Sequence, residues 1–123
     1  MRKILVTLLF SFLIMTTVSA QAGNRDLVYL GDFGDDTALI DAGFGIKRED
    51  YVLCILVIKN NVDKTVLISG VDINDKNMEC KVVSYILLKD GKIIHENKNP
   101  SIIRTFKKGS MFDVAAKWVR NNK

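Results

Sequence analysis

Histidine and proline occur once each in these 123 residues, as His95 and Pro100, and cysteine twice, as Cys54 and Cys80. Each scarcity closes off a class of chemistry. A lone imidazole with no cysteine cluster cannot complete a zinc site. His95 sits just past a turn signal, where an exposed strand residue is expected rather than a general acid or base with partners in reach. Asp32, Asp35 and Asp36 lack the alternating spacing and closing glutamate of a calcium loop. Gly43-Phe44-Gly45 lacks both the further glycine and the lysine–serine pair of a phosphate loop. No serine stands in a G-x-S-x-G context. The expectation is a protein without catalytic residues, metal or cofactor. Aromatic residues make up only 8% of the chain and are not interleaved with its basic ones, which argues against nucleic acid as the partner. There is no low-complexity tract and no internal repeat, so an ordered globular core is expected.

One long hydrophobic run is present, at the start. Arg2 and Lys3 precede the apolar stretch Ile4 to Met15, and Thr16-Thr17-Val18-Ser19-Ala20-Gln21-Ala22 then supplies small residues. That order is the pattern of a secretory signal, with cleavage expected after Ala20 or Ala22. Twelve residues, interrupted by Thr7 and Ser11, fall short of the roughly 20 that cross a bilayer. No cysteine lies near the exit, so a lipoprotein is not expected, and no later segment is apolar enough to span a membrane. Residues 1–20 are thus read as a signal peptide, and residues 21–123 as one domain of a periplasmic or extracellular bacterial protein.

Without Arg2 and Lys3 the chain keeps 16 basic and 14 acidic residues, unevenly spread. Gln21 to Asp63 holds four basic and eight acidic residues, whereas Lys64 to Lys123 holds twelve and six. Such asymmetry signals either two halves that complement each other in the fold, the reading preferred here, or a basic face for a partner.

Strand signals follow in close succession. Leu27 to Leu30 reads as a first strand stopped by Gly31, and Thr37 to Asp41 as a second. Gly43, Gly45 and the cluster Lys47 to Asp50 read as a connection. Tyr51 to Ile58 carries no charge over eight residues, which predicts a central strand covered on both faces. Thr65 to Ile73 and Met78 to Lys89 read as further strands, with Gly70 at a bulge. Asp90-Gly91 predicts a tight hairpin into Lys92 to His95, and Ile102 to Phe106 an edge strand. Met111 to Arg120 has helical periodicity, with Ser110 as N-cap, Asp113 in the capping-box position and Trp118 expected to be buried against the sheet. Lys117 and Arg120 suit the negative end of the helix dipole. The fold class expected is α+β: a mainly antiparallel β-sheet with one C-terminal α-helix packed on it.

Cys54 and Cys80 are a candidate disulfide in an oxidising compartment. The alternative is a pair of buried thiols, since in a simple meander the intervening strand would hold them too far apart.

Read in order, several segments resemble the surface-adhesin protein E family of small exported bacterial proteins. They are Ala38-Leu39-Ile40-Asp41, Gly45-Ile46-Lys47, the apolar strand Tyr51 to Ile58, Met78-Glu79-Cys80-Lys81, Tyr85, Asp90-Gly91-Lys92-Ile93-Ile94 and Lys108-Gly109-Ser110. Two features depart from the family pattern. Val119-Arg120 stands where a second cysteine commonly ends the final helix, and the lipid-anchor cysteine of the founding adhesin is missing. The resemblance implies a sheet-and-helix fold and a non-enzymatic, adhesin-like module that binds a protein. Seven basic residues and one acidic between Asn97 and Lys123 favour an acidic partner surface. A host matrix protein is one class of partner. The alternative function is a periplasmic inhibitor or immunity protein that blocks a lysozyme-like or toxin enzyme of bacterial origin. Whether the module forms a homodimer stays open.

Overall fold

The uncharged run at the centre of the chain becomes the central part of a seven-stranded antiparallel sheet. The computed structural model describes residues 26–100 and 102–123. The expected signal peptide and its cleavage points lie outside the described residues. The strands are β1 (Leu27–Phe33), β2 (Asp36–Lys47), β3 (Val52–Asn60), β4 (Thr65–Asn74), β5 (Glu79–Lys89), β6 (Lys92–Asn97) and β7 (Ile102–Thr105), followed by helix α1 (Met111–Asn122). β1 to β6 lie side by side in sequence order, and β7 also pairs with β5. Every pairing is antiparallel. This is the α+β architecture expected from the sequence. Among the described residues no helix is long and apolar enough to cross a membrane.

β3 shows why the run had to be continuous. Its side chains alternate between two separate apolar clusters, so a charge at any position would be desolvated on one face or the other. Val52, Cys54 and Leu56 join Ile40, Val71, Ile73, Cys80 and Phe106 under the helix. Leu53, Ile55 and Val57 join Ile68, Val83 and Ile86 on the opposite face, where Leu39, Phe44, Ile46, Tyr51, Val66 and Leu88 pack around them.

Glycines that read as strand ends are instead accommodated inside strands. β1 runs through Gly31, whose φ of 148° only glycine adopts without strain, and its pairing with β2 shifts register there. β2 continues through Gly43 and Gly45 to Lys47, because the register with β3 jumps between Ile40 and Gly45. Asp41 turns its carboxylate back to accept the Gly43 amide at 2.9 Å, which satisfies a donor that the broken ladder would leave exposed. Gly70 lies at a bulge, as expected, but the extra residue is Val83 on the facing strand: Gly70 pairs with Ser84 and Val71 with Val82. Asp90 and Gly91 take φ values of 53° and 76°, the two positive angles of a primed hairpin turn.

The helix lies across β1, β2 and β3. Its fully buried apolar positions are Ala115, Ala116 and Val119, one turn apart on one face, with Phe112 packed beside them. The small side chains let the helix backbone approach the sheet closely. Trp118 is half-buried rather than buried: it packs at the margin of the core, with Lys123 Nζ 6.0 Å from its ring centre.

Ser110 has the extended backbone of an N-cap, but its hydroxyl makes no capping bond and is a buried group without a partner. Asp113 instead reaches back past the cap to the segment that enters the helix. Its carboxylate, on a residue only 6% exposed, accepts the Gly109 amide at 2.7 Å and Lys117 Nζ at 3.2 Å. Chiefly that amide hydrogen bond holds the Asp113 carboxyl below its usual range.

Candidate functional site

The best candidate for recognition is the sheet edge built by the hairpin partner of β5 and the segment after it. β5 is eleven residues long, and two short strands share its outer side. β6 pairs with Tyr85–Lys89, and β7 with Glu79–Val82. Asn97 accepts the Asn99 amide through its side chain at 3.0 Å, a local turn, and buried Pro100 follows with no amide to offer a ladder. β6 and β7 therefore lie end to end along one side of β5, and among the described residues no further strand pairs with them.

Every residue of β6 is exposed. Ile93 and Ile94 are 48% and 54% exposed, and Ile103 on β7 is 66% exposed. Three of the five large hydrophobic side chains exposed among the described residues thus fall on this one edge. The register with β5 shifts between Leu87 and Leu88, so β6 is bulged at Ile94. β7 has no such shift and is the straighter rail. From Lys89 to Lys108 the chain carries six basic residues and two acidic. His95 is exposed, as expected, and its ring rests against Tyr85 at 5.4 Å between centres.

The opposite edge of the sheet, β1, has the reverse chemistry. From Asp26 to Asp36 there are four aspartates and no basic residue. Tyr29 in its middle is 58% exposed. Because the strands lie in sequence order, the uneven charge of the chain becomes a difference between the two edges of one sheet.

The basic residues of the helix serve the fold. Arg120 donates through Nε and Nη2 to the Asp75 carboxylate, the latter at 2.8 Å, and through Nη1 to the Arg48 carbonyl at 3.0 Å. It thereby ties the helix end to the β2–β3 and β4–β5 connections rather than acting on the helix dipole alone. Lys117 is paired with Asp113, and Lys123 donates to the Ala42 carbonyl. Among the described residues no group of three or more histidine, cysteine, aspartate or glutamate side chains is arranged to hold a metal ion.

Cys54 and Cys80 are free and buried, so the candidate disulfide is not formed. β4 lies between them: Cys54 pairs with Val71 on one of its sides and Cys80 with Ile73 on the other. Two strand spacings of roughly 4.8 Å already exceed the reach of a disulfide of about 7 Å. Burial pushes both thiols up, with the Asp72 carboxylate adding to the effect at Cys54 and Arg104 offsetting it at Cys80. In the folded protein without reductant, maleimide labelling should be slow at both positions, and denaturation should expose two reactive thiols. A denatured chain with no labelled cysteine would require a rearranged sheet.

Compared with protein-family models, curated proteins and solved structures, the chain matches none of them.

Proposed function

We propose that this chain is an exported, non-enzymatic protein-binding module that takes up an acidic, extended segment of a partner along the β6–β7 edge. The single observation that carries this reading is the composition of that edge: two open strands bearing three exposed isoleucines within a basic stretch. An unpaired strand offers main-chain donors and acceptors to an added strand, and the side chains flanking it select the sequence. Lysine and arginine on the edge repel a like-charged strand and attract an acidic one.

The resemblance to small exported adhesins supports the same reading from the sequence side, as does the secretory pattern of Arg2 to Ala22. The inhibitor or immunity alternative calls for a loop that plunges into an enzyme cleft. Strands β1 to β6 are instead joined by short turns of two to four residues, so recognition through an edge has the stronger support.

The test is binding of a fluorescent eight-residue peptide of alternating valine and glutamate, with its lysine counterpart as control. Hydrogen exchange should slow at Lys92–Asn97 and Ile102–Thr105 on binding, and affinity should fall about tenfold in the double variant Lys92→Glu/Arg104→Glu. Equal affinity for both peptides, protection elsewhere on the sheet, or no binding would each overturn the reading.

A further inference from the structure

Among the described residues no strand pairs with the outer side of β1 or of β6 and β7, and each of these edges carries what the other lacks. Resting on the edge-binding reading above, we infer that the acidic strand which fits β6–β7 is β1 of a second copy of this chain, giving a head-to-tail assembly with a continuous sheet.

Strand direction permits it. Five successive antiparallel pairings separate β1 from β6, so these two strands run in opposite directions within one molecule. A second copy set beside the first in the same orientation therefore brings its β1 antiparallel to β6 and β7. The alternation of the sheet continues, and the helices of both copies stay on the same face. Main-chain pairing needs no reversal of either partner.

Charge then selects this arrangement over the symmetric ones. A two-fold axis would set the basic edge against another basic edge, or the aspartate-rich β1 edge against its own copy. Two edges of like net charge repel as they approach. Only the heterologous pairing brings the aspartate-rich edge to the basic one, with the Asp26 end of β1 toward Arg104 and the Asp32 end toward Lys92. The same lysines that block a symmetric dimer admit this contact.

The contact is short by construction. β1 is irregular between Tyr29 and Gly31, and β6 between Ile93 and His95. Bulges at edges limit how far a ladder can extend. The uninterrupted rails are β7 and Leu27–Tyr29, so association should be weak and concentration-dependent. A heterologous contact that leaves one free edge of each kind repeats, and so forms a ladder of sizes or a closed ring.

Sedimentation velocity of the mature protein tests this. At about 10 mM salt, where the Debye length is roughly 30 Å, the mean mass should rise with concentration through successive oligomers. In 1 M salt, with screening at roughly 3 Å, it should fall back to the monomer. Lys92→Glu/Arg104→Glu removes the net positive charge of the β6–β7 edge, and Asp26→Lys/Asp32→Lys the net negative charge of the β1 edge. Each should be monomeric alone, with association weakened at least tenfold, and mixing the two should restore complexes. All four changed residues are exposed, and thermal melts of the variants check that they fold.

A monomer at every concentration, a dimer that does not grow, or association unchanged by either charge reversal would overturn the inference. If the wild type stays monomeric while the acidic peptide still protects β6 and β7, the edge reading stands and the second copy is not its partner. If neither occurs, both fail.

Discussion

Leu56→Ala should lower the unfolding free energy by about 3 kcal/mol, the middle of the range for a buried leucine cut to alanine. Leu56 is fully buried on β3, among the residues packed under the helix. It pairs with Ile40 on one side and Ser69 on the other. The backbone on both sides is held by ladders, so the sheet cannot collapse into the space left by the missing methyl groups. For a domain of this size the midpoint should drop by roughly 12 °C or more. Lys59→Ala, on the same strand but exposed, should change stability by no more than about 0.5 kcal/mol. Denaturant titration of both variants checks this. A loss under 1 kcal/mol at Leu56 would mean that the face under the helix is not packed as described.

Removing Arg120 should have the next largest effect, about 2 kcal/mol, because its guanidinium makes charge-assisted bonds in a partly buried setting. Asp75 receives two of them, and the carbonyls of Arg48 and Glu49 receive others. Arg120→Ala leaves the Asp75 carboxylate partly buried without its partner. Asp75→Ala and the double variant complete a cycle in which the pair's coupling should exceed that of the exposed pair Lys76–Asp50.

The same pair sets a pH dependence. The Arg120 hydrogen bonds hold the Asp75 carboxyl below its ordinary value of 3.8. The folded state then binds fewer protons than the unfolded chain in that range, and stability rises with pH through it. The contribution is complete above about pH 4 to 5 and is lost as pH falls through the depressed folded value. Asp75→Asn should flatten this part of the acid limb. Asp113, depressed chiefly by its bond from the Gly109 amide, should keep its own share in the same window. An acid limb identical in wild type and Asp75→Asn would remove the ion pair as its source.

Much of the strand order was legible because it is encoded locally. The uncharged run from Tyr51 to Ile58 announces a strand desolvated on both faces, and Asp90-Gly91 a turn that few other dipeptides can make. The spacing of Met111 to Arg120 announces a helix. Short polar turns between strands leave little alternative to neighbours pairing in sequence order. The edge was half legible: Ile102 to Phe106 reads as an edge strand, but nothing local says that β6 and β7 share one side of β5.

What only the tertiary structure decided are matters of register and distance. Gly31, Gly43 and Gly45 are stops by local rule, yet partner strands absorb them as irregularities and β2 runs to twelve residues. Ser110 is the better cap by residue type, but packing buries its hydroxyl away from any donor and brings Asp113 to the Gly109 amide instead. Two cysteines behind a secretory pattern suggest a bridge, and the position of β4 between them prevents it. The uneven charge, preferred from the sequence as internal complementarity, is placed by the meander largely on opposite edges, with Asp50 and Lys76 the ion pair that joins the two halves. Hydrophobic pattern and turn chemistry act over a few residues and so are written in the chain. Which side chains meet across the sheet depends on the sum of every register, and that exists only once all the strands are in place.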